Sequence, residues 1–203
     1  MWSQNDIEIL INDKYANLLP IYNSYPFFIQ KVDMAKYIIL YEYGGMYLDV
    51  DLDIKSSINQ LPLDKCIIAR SPKLNVNIFS KCISFLPWTN VVNNNFLYLP
   101  YAKHPLCKLL IDNLHVYSCR YFWEFKAEYI FRSTGPLYLM KMLDIYLKTN
   151  DVPYYVNPET IFHDMAENSW NKMPIDIHDI KFILFVMILI FLIIICFSKN
   201  SKK

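Results

Sequence analysis

The stretch from Lys31 to Asp53 leaves this chain few ways to fold. Val32, Ala35 and Ile39 recur at spacings of three and four, as do Met34, Ile38 and Tyr41, which predicts an amphipathic helix over Lys31–Tyr43. Gly44-Gly45 ends it. The chain has only three glycines, Gly44, Gly45 and Gly135, where average usage would give roughly fourteen. A Gly pair in so sparing a chain marks a reversal that a Cβ would block. Met46-Tyr47-Leu48-Asp49-Val50-Asp51 then alternates as a strand does. On a continuous strand Asp49, Asp51 and Asp53, at i, i+2 and i+4, project to one face, with Val50 and Leu52 on the other.

The scarcity of glycine excludes whole classes of function. There is no G-x-G-x-x-G for a dinucleotide and no G-x-x-x-x-G-K-[ST] for a nucleoside triphosphate. Phosphate chemistry must therefore use a metal ion or side chains. Three like charges roughly 6.5–7 Å apart on one strand face repel unless a cation neutralises them. Carboxylates suit Mg²⁺ or Mn²⁺, which bind one or two protein carboxylates together with substrate phosphates. An exposed, solvated acidic turn is the bland alternative. The helix, the Gly-Gly turn and the strand deliver the acids to a strand's C-terminal end, where ligands of α/β sheets bind. A divalent ion there could hold a pyrophosphate and stabilise it as a leaving group, which is the chemistry of sugar transfer from a sugar nucleotide. A metal-dependent phosphate-ester hydrolase would use the same acids. The net charge of +1 offers no basic stripe for nucleic acid.

Elsewhere the pattern predicts a short helix over 6–19 capped by Asp6, a loop over Tyr22–Ile29, and short strands at Cys66–Arg70, Val76–Phe79 and Phe96–Leu99. Helices are predicted over Pro105–Tyr117 and Pro136–Lys148, the second opened by Ser133-Thr134-Gly135-Pro136. Tyr154–Trp170 reads as irregular and aromatic. Helices alternating with short strands indicate an α/β domain, here residues 1–175. The five cysteines include no C-x-x-C pair, so reduced, mostly buried thiols are expected.

Phe182 to Phe197 is sixteen residues without a charge. As a helix it would span about 24 Å, short for a 30 Å hydrocarbon core but closer to that of the thinner endoplasmic reticulum membrane. It is apolar on every face and lies beside the basic tail 198–203, which favours a single transmembrane helix over a buried core helix. Lys199, Lys202 and Lys203 favour a cytosolic C-terminus. The N-terminus lacks a signal-type apolar stretch, and no N-x-[ST] acceptor occurs, so the topology stays open.

The run VDMAKYIILYEYGGMYLDVDLDI resembles the core of the DxD glycosyltransferases of family 32. That family includes fungal α-mannosyltransferases and inositol phosphoceramide mannosyltransferases and is related to the glucosylating bacterial toxins. Its pattern, roughly x-D-x-x-R-Y-x-x-L-x-x-x-G-G-x-Y-x-D-x-D, is met at Asp33, Tyr37, Leu40, Gly44, Gly45, Tyr47, Asp49 and Asp51. Weaker matches follow in family order: the opening WSQNDIEILI, Asn93-Asn94-Asn95-Phe96, His104-Pro105, Thr134-Gly135-Pro136, His163, and Ser169-Trp170. Together they cover residues 2–170.

The resemblance implies a GT-A-like nucleotide-sugar-binding domain and retaining transfer of a hexose, mannose favoured, from GDP-mannose or a UDP-sugar to a lipid or glycan acceptor. It implies an endoplasmic reticulum or Golgi membrane location. By analogy Asp51 binds Mn²⁺ (or Mg²⁺) directly, and Asp49 contacts the ribose or the ion through water. Asp33 and Lys36 hold the sugar hydroxyls, with Asn94 beside them. Tyr47 holds the nucleoside after the Gly44-Gly45 turn, and Ser169, Trp170 and His163 close over the diphosphate. Each has a simpler reading: Tyr47 and Trp170 as core aromatics, His163 as a hydrogen-bonded loop residue, Asp33 paired with Lys36 or Lys31, Asp53 as a solvated charge. Two departures stand out. Lys36 replaces the family's Arg and loses its planar, two-pronged fork. The family's opening I-P-K-x-I-H-x-x-W segment is not found before Trp2, so the domain is expected to lack its first strand and part of the base pocket. A non-catalytic remnant that binds a membrane or partner is the competing expectation.

Overall fold

The computed structural model describes residues 2–55, 58–70, 92–164 and 176–200. Two compact units emerge, one of residues 1–119 with 130–167 and one of residues 120–129 with 168–203.

The first unit opens with α1 (Gln4–Lys14). Its cap is Ser3 rather than Asp6: Ser3 Oγ accepts from the Asp6 N–H, and the Asp6 carboxylate accepts from the Ser3 N–H at 2.9 Å. The predicted loop after it is partly helical, with α2 at Leu19–Ser24 and α3 beginning early, at Phe28–Tyr43. The strands are β1 (Gly45–Leu48), β2 (Leu52–Ile54), β3 (Ile67–Arg70) and β4 (Val92–Leu99). The helix predicted from Pro105 is broken into α4 (Pro105–Asp112) and α5 (Leu114–Tyr117). After α6 (Lys126–Ser133), which no sequence signal marked, α7 runs Pro136–Tyr146. The stretch read as irregular holds β5 (Tyr154–Val156), α8 (Pro158–Ile161) and β6 (Phe162–Asp164). The strand expected at Val76–Phe79 lies outside the described residues.

The main sheet has the order β1-β4-β3-β5, with β4 antiparallel to both neighbours and β5 parallel to β3. β2 and β6 form a separate antiparallel ladder. The fold is therefore mixed α/β. Its sheet is dominated by antiparallel pairs, and β1 is an edge strand among the described residues.

Two apolar cores lie on opposite faces of the sheet. One joins Met34, Tyr37 and Ile38 of α3, Leu106 and Leu110 of α4 and Leu139 and Met142 of α7 to Ile68, Leu97 and Leu99. The other packs Ile67, Ala69 and Phe96 against Leu52, Ile161 and Phe162. β3 is thus buried on both faces, which explains why Ile67-Ile68-Ala69 reads as an unbroken apolar run.

His104 starts α4. Its Nδ1 accepts from the Leu106 N–H at 3.3 Å, and its ring lies between Tyr101 and Tyr146, with centroids 5.1 and 5.9 Å away. Burial pushes the imidazole down to about 4, so it is neutral at pH 7 and can cap. A depressed histidine contributes fully above its unfolded value near 6.5, and the contribution is lost as pH falls toward 4. The loss amounts to about 2–3 kcal/mol. The thermal midpoint of the full chain in mild detergent should therefore fall on acidification from pH 7 to 4. His104→Asn, which keeps an acceptor but does not titrate, should start lower and give a flatter curve over that window. An unchanged pH slope in the variant would rule out His104 as the source.

The second unit contains α9 (Ile177–Asn200). Its residues Ile177–Ile195 have a mean hydropathy of 2.6, and by length and composition the helix can cross a membrane.

Candidate functional site

Helix α3 carries the back wall of the site. Asp33 and Lys36, one turn apart on it, are both 3 % exposed. Lys36 Nζ donates to Asp33 Oδ1 at 2.6 Å and to the Asn94 carbonyl at 2.9 Å. Asn94 Nδ2 donates to Asp33 Oδ1 at 3.0 Å, and Thr134 Oγ1 donates to Asp33 Oδ2 at 3.0 Å. Tyr37, the next residue on α3, donates its hydroxyl to the Thr134 carbonyl at 2.7 Å. Gln30 Nε2, at the start of α3, donates to Ser133 Oγ at 2.6 Å. The helix, the central strand β4 and the Ser133-Thr134 turn are thus tied together by one buried polar network. Burial pushes the Asp33 carboxyl above its ordinary range, and the Lys36 ammonium and the hydrogen bonds to it pull it back only in part.

The network continues to the acidic motif. Lys36 Nζ lies 4.8 Å from the centre of the Tyr47 ring, a cation–π contact. The Tyr47 hydroxyl donates to Asp49 Oδ1 at 2.6 Å. Tyr47 and Asp49 point the same way because they are two residues apart at the end of an extended strand. Burial pushes the Asp49 carboxyl up, and the charges of Asp33 and Asp51 add to the rise. The Lys36 charge and the Tyr47 hydrogen bond oppose it.

The three acids do not share one strand face, contrary to the spacing argument. β1 ends at Leu48, and the chain turns before β2 begins at Leu52. The Leu52 N–H donates to the Asp49 carbonyl at 3.1 Å, closing the turn and leaving Val50 fully exposed. Asp51 is therefore a half-buried turn residue, and Asp53 belongs to a second ladder, opposite His163 of β6. A turn separates like charges that a continuous strand would align, which lowers their repulsion. Nor does the strand-end rule for parallel sheets explain the placement. The turn follows an antiparallel edge strand, fixed by the Asp49 N–H donating to the Asn95 carbonyl at 2.9 Å.

Asn94 faces α3 because β4 is irregular. Ile68 pairs with Leu97, but the next residue, Ala69, pairs with Asn93. That register shift changes the alternation, so Asn94 reaches Asp33 on the same side as Leu97, three residues away. Sequence reading had no means of choosing among the three adjacent asparagines. It also passed over Asn95, whose Oδ1 is buried with no hydrogen-bond partner in the described structure, beside the Asp49 backbone. Thr134 and Tyr37 were visible only as motif matches. Ser169 and Trp170 lie outside the described residues, and His163 is placed by its backbone alone.

Among the described residues no three His, Cys, Asp or Glu side chains gather as a metal cage. The chemistry still suits a divalent ion, because Mg²⁺ and Mn²⁺ need only one or two protein carboxylates when phosphates supply the rest. Asp33 is buried and already accepts three internal hydrogen bonds. Asp49, by contrast, carries a carboxylate held near other negative charge, which a cation would relieve.

The helix and the acidic motif are joined by one chain of contacts, and comparison with known proteins names the class. Residues 1–68 match the family described as the glycosyltransferase sugar-binding region containing a DXD motif. The chain belongs to these glycosyltransferases. Among its relatives, inositol phosphoceramide mannosyltransferase 1 of Schizosaccharomyces pombe is 31 % identical over 180 residues, covering 84 % of this chain and 50 % of the relative. A mannosyl phosphorylinositol ceramide synthase of Saccharomyces cerevisiae is 30 % identical over 139 residues, 68 % of this chain and 32 % of the relative. An uncharacterized glycosyltransferase of Acanthamoeba polyphaga mimivirus is 25 % identical over 171 residues, 80 % of this chain and 61 % of the relative. The chain spans about half the length, or less, of the curated yeast relatives it matches. No solved structure matches it.

Proposed function

We propose that the chain is a membrane-anchored, retaining glycosyltransferase of the GT-A type. It would transfer a hexose, mannose favoured, from GDP-mannose or a UDP-sugar to a lipid acceptor of the inositol phosphoceramide kind. The observation that carries this reading is the continuous link from Asp33 and Lys36 through Tyr47 to Asp49 at a turn on the sheet edge. The names of the yeast relatives, an inositol phosphoceramide mannosyltransferase and a mannosyl phosphorylinositol ceramide synthase, support the sugar and the acceptor.

Asp49 and Asp51 would hold Mn²⁺ or Mg²⁺. The ion, when bound, neutralises the diphosphate that leaves as the sugar is transferred. Tyr47 fixes the orientation of Asp49 and borders the nucleoside. Asp33, Lys36 and Asn94 act from behind as positioning residues, since all three are buried and engaged with one another. Gly44 and Gly45 give the backbone reversal that brings β1 to this point. Ser169, Trp170 and His163 are proposed to cover the diphosphate. Helix α9 is the anchor, and its short charge-free run favours an endoplasmic reticulum or Golgi membrane.

The test is a thermal-shift screen of nucleotide sugars on the full chain in detergent, with and without Mn²⁺. A ligand that binds only the native state stabilises it by about 2.7 kcal/mol at a hundred times its dissociation constant. A shift is expected with the cognate donor and Mn²⁺ together, and Asp51→Ala should abolish the metal dependence while keeping the unliganded midpoint. No shift with any donor would overturn the reading. A shift without sugar transfer to lipid would favour the non-catalytic remnant.

A further inference from the structure

The unit formed by residues 120–129 and the tail holds a second feature directed at the membrane. Arg120 is its hub. Its Nη1 donates to Asp176 Oδ2 at 2.5 Å, its Nη2 donates to Asp179 Oδ1, and both Nε and Nη2 donate to the Glu124 carbonyl, at 3.2 and 3.0 Å. The Lys126 N–H donates to Asp179 Oδ1 at 2.9 Å. Arg120 thus pairs with both carboxylates at the start of α9 and offsets one of their two charges. One turn further along, Phe182 and Phe185 meet the Phe122 ring edge-on, with centroids 6.3 and 6.0 Å away, and Phe125 packs on Phe182 at 5.8 Å. Tyr121 and Trp123 stack at 5.0 Å with their planes 9° apart. Despite these contacts, Tyr121, Phe122 and Trp123 are 44, 58 and 39 % exposed.

We propose that Tyr121-Phe122-Trp123, clamped to the polar end of α9 by Arg120, is a membrane-interface collar whose rings lie at the boundary between lipid headgroups and acyl chains. The proposal rests on the reading of α9 as a membrane helix. Only 6 % of the apolar stretch of α9 is buried, and its exposed residues lie on all sides. A protein partner covers one stripe of such a helix, whereas acyl chains cover it all round. The collar touches the helix at Phe182 and Phe185, where the charge-free run begins and where the boundary must fall. Tyrosine and tryptophan favour that depth because each ring has an apolar body and a polar edge. The ion-paired Arg120, Asp176 and Asp179 and the exposed Lys181 lie toward the headgroup side. Because it is held by side chains from a distant part of the sequence, the collar fixes how deeply α9 enters.

The experiment uses the full chain labelled with 5-fluorotryptophan in phosphatidylcholine vesicles. Trp123→Phe identifies the Trp123 fluorine signal by its loss. The Trp123 signal should lose most of its intensity to a lipid spin-labelled high on its acyl chain and keep most of it with a water-soluble gadolinium chelate. Arg120→Gln should reverse that preference while the chain still floats with the vesicles through α9. If the chain floats but the wild-type signal responds only to gadolinium, the collar is in water and the proposal falls. If it responds to neither probe, protein covers the collar, a second copy included, and the proposal also falls. Failure to float would overturn the membrane reading of α9 itself.

Discussion

Lys36→Met should lower the stability of the first unit by about 3–5 kcal/mol, the cost of leaving a buried carboxylate without its counter-charge. Asp33 is 3 % exposed and cannot turn to water, so the penalty falls on the folded state. The remaining donors, Asn94 Nδ2 and Thr134 Oγ1, are neutral and replace only part of what an ammonium at 2.6 Å supplies. The thermal midpoint in detergent should drop by roughly 10 °C at 2–4 °C per kcal/mol for a domain of this size. The double variant Asp33→Asn with Lys36→Met should recover much of that loss, because it removes the pair and leaves no isolated charge. The comparison separates the charge effect from the other losses at Lys36. If the double variant is as unstable as the single one, the lost hydrogen bond from Lys36 to the Asn94 carbonyl matters more than the charge pair. Loss of the ammonium also removes the cation over Tyr47, so Lys36→Met should weaken Mn²⁺-dependent donor binding beyond what its lower stability explains.

The parts of this site that sequence reading found are the parts governed by local rules. The period of α3, the arrest at Gly44-Gly45 and the extended Met46-Tyr47-Leu48 are each set by residues within a few positions of one another, and the helix and strand follow. The break after Leu48 depends on tertiary contacts, and alternation carried it on to Asp53. Continuing β1 would have aligned three carboxylates; instead the pairing with β4 ends at the Asp49 N–H on Asn95, and the Leu52 N–H on the Asp49 carbonyl closes a turn. Asn94 could not be singled out because its direction depends on the β4 irregularity opposite Ile68 and Ala69, a pairing some 25 residues away in sequence. An ion pair of Asp33 with Lys36 or Lys31 stood in the sequence only as the simpler alternative to a sugar-binding role; the structure pairs Asp33 with Lys36, at a depth of burial the sequence did not show. That burial comes from Thr134 and β4 closing over the helix. The apolar tail was legible as a helix from its composition, and α9 forms over it. The collar beside it was not, because residues 120–129 and 176–185 meet only in the fold.

Gly44→Ala should have an effect as large as that of Lys36→Met, for a different reason. Gly44 sits at φ +66°, ψ −158°, a region open to glycine almost alone, and forcing an L-residue there costs about 1–3 kcal/mol. A Cβ at Gly44 would also lie 2.8 Å from the Tyr101 carbonyl carbon and 3.0 Å from the Ala102 nitrogen. These are backbone atoms, held by the Lys103 N–H donating to the Tyr41 carbonyl at 2.5 Å and by the Lys103 ammonium on Glu42. Glu42 is anchored in turn. Burial alone would raise its carboxyl, but hydrogen bonds from Lys103, Lys14 and Tyr15 hold it down at about 2. The 101–103 segment therefore cannot yield cheaply, and the combined penalty should reach about 3–5 kcal/mol. Gly45 is the internal control. Its φ of +89° is also left-handed, but no atom lies within 4 Å of its missing Cβ. Gly45→Ala should cost only the backbone strain, about 1–3 kcal/mol. Because Gly44 sets the angle at which β1 leaves α3, Gly44→Ala should also remove donor binding in whatever fraction still folds, whereas Gly45→Ala should retain part of it. Thermal midpoints and Mn²⁺-dependent donor shifts on the two variants check both statements. Equal losses would mean that the close approach of Tyr101 contributes nothing and that φ alone dictates the glycine.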